Sequence, residues 1–136
     1  MNNIKYATQN IDSNDLFSVV KSLKDDFLTQ GPAVEKFEKY LSIFFKSKYA
    51  IAVNSGTSAL NIALKSIKIS KNDGVLVPAN TFVSSINAAK YLTDKIIITD
   101  IDPETGLMSK NNLIHALNEA NKKKIKIKVL INVFYA

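Results

Sequence analysis

Two short stretches of this chain hold the residue types from which a binding site can be built. In Val53-Asn54-Ser55-Gly56-Thr57-Ser58-Ala59-Leu60 an apolar run gives way to small polar residues and then at once to helix formers. Backbone N–H groups at a helix N-terminus sit unpaired at the positive end of the helix dipole. Together with the hydroxyls of Thr57 and Ser58 they make a cradle for an anion such as phosphate, and Gly56 lets the backbone approach it closely. The same residues also suit plain capping, with Ser55 and Thr57 closing the helix start, and the octapeptide by itself leaves both readings open. Neither a dinucleotide fingerprint, GxGxxG, nor a P-loop, GxxxxGK followed by Ser or Thr, occurs in the chain.

The second stretch is Pro78-Ala79-Asn80-Thr81-Phe82-Val83-Ser84-Ser85-Ile86-Asn87-Ala88, again an apolar run opening into a helix. Ligands of open α/β sheets bind beyond the carboxyl ends of the strands, so this turn and the first one can face a common crevice. Phe82 could then stack on a flat ring. Taken alone, it reads more simply as a core side chain.

Other chemistry is narrowed by composition. The chain has no cysteine and one histidine, which excludes disulfides, thiolate zinc sites and cysteine nucleophiles and leaves no multi-histidine metal centre. His115 falls on the Leu113, Ile114 and Leu117 stretch, without a nucleophile or metal partner nearby in sequence, and reads as a surface or packing residue. The net charge of +6 raises nucleic acid as a partner, yet all eighteen basic residues are lysine. Without arginine's planar fork, specific reading of bases is disfavoured. The run from Lys122 to Lys128 reads as a solvated loop entering a strand.

The elements that must position these residues follow from periodicity. Asp12-Ser13 followed by Leu16, Val19, Val20 and Leu23 predicts a capped amphipathic helix ending near Lys24. Gly31 is expected to take an unusual backbone angle, and Pro32 to open a helix with Val34, Phe37, Tyr40, Leu41 and Phe44 on one face. A strand over 49–53, a helix over 57–66, a strand over 75–77 and a helix over 83–91 come next. They are followed by a strand over 96–99, a turn over 102–106, a helix over 110–121 and a strand over 129–133. Short apolar strands alternating with helices predict an α/β fold with a mostly parallel sheet covered by helices. No apolar run approaches the roughly 18 residues that cross a bilayer, and the first residues have no signal-peptide pattern, so the expectation is a cytoplasmic protein without a membrane partner. Ending on a buried-type strand with no closing helix, the chain reads as a fragment.

Taken in order, these stretches resemble the DegT-type nucleotide-sugar aminotransferases, a branch of the fold-type-I pyridoxal-phosphate enzymes. The resemblance runs through Ile4-Lys5-Tyr6, Leu28-Thr29-Gln30-Gly31-Pro32, Asn54 to Leu60, Pro78 to Val83, Asp100 to Met108 and the last strand. Leu28 to Pro32, Tyr6 and the Lys-rich lead into the last strand look most like the branch acting in pseudaminic acid biosynthesis.

The resemblance implies the PLP-dependent transferase fold, with residues 1–31 as an N-terminal segment and helix and residues 32–136 as part of the cofactor-binding large domain. It implies that Gly56, Thr57 and Ser58 hold the phosphate of pyridoxal 5'-phosphate and that Phe82 stacks on its ring. Tyr6, Asp26, Phe27, Leu28 and Thr29 match positions lining the sugar-nucleotide site. The reaction implied is transfer of an amino group from glutamate to C4 of a nucleotide-linked 4-keto-6-deoxy sugar, in a homodimer. The family's cofactor-bonding lysine, the aspartate that pairs with the pyridinium nitrogen and a small C-terminal domain match nothing up to Ala136. None of the eighteen lysines is therefore assigned to catalysis, and these residues alone are expected to be inactive.

Two departures stand out: Asn132 and Phe134 occupy places where relatives carry the Pro and His of a Pro-Val-His run. Gly74 replaces a polar residue common there and reads as inconsequential. Outside the resemblance, a flavodoxin-like module in which Ser55 to Ser58 hold a nucleotide or flavin phosphate is the alternative, and a lysine-based nucleic-acid binder is a third.

Overall fold

The computed structural model describes residues 8–29 and 31–134. They form two compact units, the first running to Ala52 and the second starting at Val53.

The first unit contains α1, Ser13–Leu23, and α2, Pro32–Phe44. Asp12 caps α1 by accepting from the N–H groups of Asn14 at 2.7 Å and Asp15 at 3.0 Å, while the Asp15 carboxylate accepts from the Asp12 N–H at 3.0 Å. These reciprocal bonds satisfy orphan donors of the first turn, which is why the helix begins here. Pro32 opens α2, with Gly31 preceding it at φ −81°, ψ 175°. That is ordinary extended backbone, so the expected unusual angle is not the reason for the glycine. Space is the reason, because a Cβ on Gly31 would collide with the Phe27 carbonyl oxygen.

The second unit orders α3, Gly56–Ser66; β1, Asp73–Pro78; α4, Val83–Lys90; β2, Ile96–Thr99; α5, Lys110–Lys122; and β3, Lys126–Leu130. The strands form a parallel sheet in the order β2-β1-β3. β1 is central and buried on both faces, which accounts for its unbroken apolar run. Val75 and Val77 face one side and pack with Leu64 of α3, Ala88 and Ala89 of α4, and Ile131. Leu76 faces the other and packs with Ile97, Ala116 and Ala120. Alternation along one strand thus divides the core in two. Small residues on α4 and α5 bring those helices close to the sheet.

Two sequence expectations are corrected. Residues 49–53 form no strand: a strand needs a neighbour for its N–H and C=O groups, and among the described residues none pairs with this segment. The last strand starts at Lys126, inside the lysine run that reads as loop, because Ile127 and Val129 are partly buried while Lys126 and Lys128 point outward. A bulge makes this possible. Gly74 pairs with Ile127 but Val75 pairs with Val129, which leaves Lys128 as the extra residue.

That bulge also overturns the reading of Gly74 as inconsequential. Gly74 is buried, and a Cβ there would lie 2.5 Å from the Ile125 Cγ2 and 2.6 Å from the Ile127 Cδ1. Only a residue without a side chain fits where β3 presses against β1.

The extra residue is put to use. The Lys128 ammonium donates to the Lys68 carbonyl at 2.8 Å and to the Asp73 carboxylate at 3.2 Å. Asp73 also accepts from the Ser70 N–H and hydroxyl, each at 2.8 Å. These Ser70 bonds first, and Lys128 after them, hold the Asp73 carboxyl down at about 2 from an ordinary 3.8. The unfolded chain therefore takes up this proton before the folded one. Stability from Asp73 is complete above about pH 4 and lost as pH falls through about 2. Urea midpoints measured from pH 6 to pH 2 should show wild type above Asp73→Asn at pH 6, with the gap narrowing below pH 4 and closing near pH 2. A constant gap would show that Asp73 acts through something other than its charge.

Candidate functional site

The start of α3 is built by its own cap. Ser55, extended at φ −161°, ψ 158°, accepts from the Ser58 N–H at 3.2 Å. The Ser58 hydroxyl donates to the Asn54 side-chain oxygen at 2.7 Å, and the Ser55 hydroxyl lies 3.1 Å from it. Ser55 and Ser58 are thus bound into the cap. Thr57 is not, and neither its hydroxyl nor the N–H groups of Gly56 and Thr57 meet a partner among the described residues. A Cβ built on Gly56 would stand in open space with no atom within 4 Å. The approach to these N–H groups is clear, and a larger side chain at position 56 would occupy it.

The start of α4 is arranged differently. Its N-cap residue is Phe82, at φ −70°, ψ 140°, which has no side chain able to cap. The turn is held instead by the Thr81 hydroxyl, which donates to the Ser85 hydroxyl at 2.9 Å, and by the Ser85 N–H, which donates to the Phe82 carbonyl at 3.0 Å. Upstream, the Asn80 amide donates to the Gly106 carbonyl at 3.1 Å, tying this turn to the 102–106 turn. In that second turn the Thr105 and Glu104 N–H groups donate to Asp102 and lower the pKa of its carboxyl. The Phe82 ring is 75% exposed, so the core-packing reading of this residue fails.

A cleft of about 410 Å³ joins the two helix starts, lined by Gly56, Thr57, Leu60, Thr81, Phe82, Ser84, Ser85 and Val133. No charged side chain lines it, and neither helix carries an acidic residue in its first turn. The polar lining consists of neutral donors and helix N-termini, suited to an anion; the apolar lining, Phe82, Leu60 and Val133, is suited to a flat ring beside it. Of the residues singled out from sequence, Gly56, Thr57 and Phe82 come together here, while Ser58 belongs to the cap behind them. Leu60, Thr81, Ser84, Ser85 and Val133 were missed. The visible signal for Ser84 and Ser85 is an aromatic residue at the N-cap position, which leaves the helix start in need of other partners. Val133 lies between Asn132 and Phe134, so both departures flank a cleft-lining position.

In the first unit, Phe27 and Leu28 line a separate apolar groove of about 420 Å³ with Val19, Leu23 and Val34, whereas Asp26 and Thr29 do not line it. Tyr6 lies outside the described residues. His115 is exposed, and no cluster of metal-ligating side chains occurs among the described residues. Nor is any described helix long and apolar enough to cross a membrane.

Residues 9–133 match the DegT/DnrJ/EryC1/StrS aminotransferase family, and the chain belongs to it. The UDP-4-amino-4,6-dideoxy-N-acetyl-beta-L-altrosamine transaminase of Campylobacter jejuni serotype O:23/36 is 40% identical over 98 residues, 72% of this chain and 26% of the relative. A 3-oxo-glucose-6-phosphate:glutamate aminotransferase of Bacillus subtilis is 35% identical over 94 residues, 69% of this chain and 21% of the relative. A solved Streptococcus pneumoniae protein named as a sugar aminotransferase, in its PMP form, superposes with a TM-score of 0.81 at 27% identity, over 96% of this chain and 32% of that one. The same protein is solved in a PLP form. The α/β fold with a parallel sheet is therefore that of the family, whose aminotransferases depend on pyridoxal phosphate. The chain spans less than a third of the length of these curated relatives.

A side chain as open as Phe82 contributes little to folding. Phe82→Ala should leave the denaturation midpoint nearly unchanged, within about 0.5 kcal/mol. A loss of about 3 kcal/mol or more, the usual cost of truncating a core phenylalanine, would return Phe82 to a packing role.

Proposed function

We propose that these residues form the phosphate-side part of the cofactor site of a pyridoxal-phosphate-dependent sugar aminotransferase. The observation that carries the reading is the cleft itself, in which free N–H groups of Gly56 and Thr57 and an exposed Phe82 ring meet without any carboxylate. Gly56 fits the role because its missing Cβ leaves the approach open. The Gly56 and Thr57 N–H groups and the Thr57 hydroxyl bind the phosphate, with Ser58 anchoring the turn through Asn54. Phe82 orients the ring, and Leu60 and Val133 help keep water from its edge. When bound, the cofactor supplies an electron-withdrawing ring that stabilises negative charge at the carbon whose bond is broken.

Around this site, residues 32–136 contribute part of the cofactor-binding domain. Residues 1–31 supply the sugar-nucleotide side through Tyr6 and Asp26 to Thr29. In the whole protein the reaction is transfer of an amino group from glutamate to the C4 keto group of a nucleotide-linked 4-keto-6-deoxy sugar, carried out by a cytoplasmic homodimer. The Campylobacter relative supports an N-acetyl-sugar substrate of the pseudaminic acid type, and the Bacillus relative supports glutamate as the donor.

Binding of pyridoxal phosphate by the whole protein tests the reading. Thr57→Glu places a negative charge against the phosphate and should weaken binding by a factor on the order of a hundred. Gly56→Trp should abolish it by filling the approach. Cofactor content equal to wild type in both variants contradicts the assignment.

A further inference from the structure

The exposed Phe82 ring has little packing of its own to hold it, so its place is set by the backbone beneath it. Three consecutive residues fasten that backbone. The Ala79 N–H donates to the Thr99 carbonyl of β2 at 2.9 Å, and the Thr81 hydroxyl donates to Ser85 of α4 at 2.9 Å. Between them the Asn80 amide reaches 26 residues along the chain to the Gly106 carbonyl at 3.1 Å. The turn it reaches, over 102–106, contributes no residue to the cleft lining. That turn is closely bonded to itself. The Asp102 carbonyl accepts from the Gly106 N–H and the Asp102 N–H donates to the Leu107 carbonyl, both at 2.8 Å, while the Asp102 carboxylate accepts from the Glu104 and Thr105 N–H groups at 3.0 Å each. Gly106 sits at φ +67°, the left-handed region that favours glycine, and a Cβ there would come to 3.3 Å from the Asn80 amide nitrogen. One glycine thus serves both the turn and the approach of Asn80 to it.

We propose that Asn80 is a positioning residue for the cofactor ring, bracing the loop that carries Phe82 against the Gly106 carbonyl so that Phe82 is held in its stacking place. The proposal rests on the cofactor reading above and deepens it. Asn80 does not itself line the cleft, so its effect passes through Phe82. Stacking depends on the offset and tilt of the ring, and slack in the loop two residues upstream weakens it.

A double-mutant cycle in the whole protein tests this, read by the dissociation constant of pyridoxal phosphate and by the visible circular dichroism of the bound cofactor, which reports how firmly its ring is oriented. Phe82→Ala should weaken binding about tenfold, and Asn80→Ala about threefold with a reduced cofactor signal. In the Phe82→Ala background, Asn80→Ala should change neither quantity further, because no ring remains to be positioned. Gly106→Ala disturbs the same hydrogen bond from the other side and should follow the same pattern; it decides the matter if Asn80→Ala fails to fold, which far-UV circular dichroism checks. An Asn80→Ala effect that persists without Phe82, or no effect of Asn80→Ala and Gly106→Ala on either readout, would overturn the role of Asn80 while leaving the cofactor reading in place. Unchanged affinity and cofactor signal in Phe82→Ala alone would overturn the stacking assignment and this proposal with it.

Discussion

Parallel pairing of β1 with β2 and β3 is the constraint on which the second unit depends. Parallel neighbours cannot be joined by a tight turn, so the chain returns through helices that cover the sheet, and each such helix starts near the carboxyl end of the strand before it. Central β1, buried on both faces, fixes where that end lies. The turn after Pro78 starts α4 there, and Val133 follows β3 into the same cleft. The topology thus brings the start of α4 and the residues after β3 to one end of the sheet, where the start of α3 lines the same cleft.

The local devices protect this arrangement. Gly74 lets β3 press on β1 where no Cβ fits, and the bulge turns Lys128 toward Lys68 and Asp73. Thr93, buried between α4 and β2, donates to the Asp73 carbonyl at 2.9 Å and accepts from the Lys95 N–H at 3.0 Å. These contacts sit at the start of β1, away from its carboxyl end. Stability and site are thus placed at different ends of the strand, so that the site can remain open without loosening the sheet.

Much of this was legible in the residues, for definite reasons. The helices follow from apolar spacing and from caps such as Asp12, and the start of α3 follows from Ser55-Gly56-Thr57 preceding helix formers. What could not be read depends on partners distant in sequence. Residues 49–53 look like a strand by composition, but composition cannot supply the neighbour that a strand requires. The bulge at Lys128 and the crowding at Gly74 exist only once β1 and β3 are in register.

The central claim is that the cleft between the starts of α3 and α4 holds a phosphate with a flat ring beside it. A crystal structure of the whole protein grown with pyridoxal phosphate tests this most directly. The account predicts phosphate density within hydrogen-bond distance, roughly 3 Å, of the Gly56 and Thr57 N–H groups, with the pyridine ring against Phe82. Density for the cofactor elsewhere, with this cleft holding only water, would contradict it.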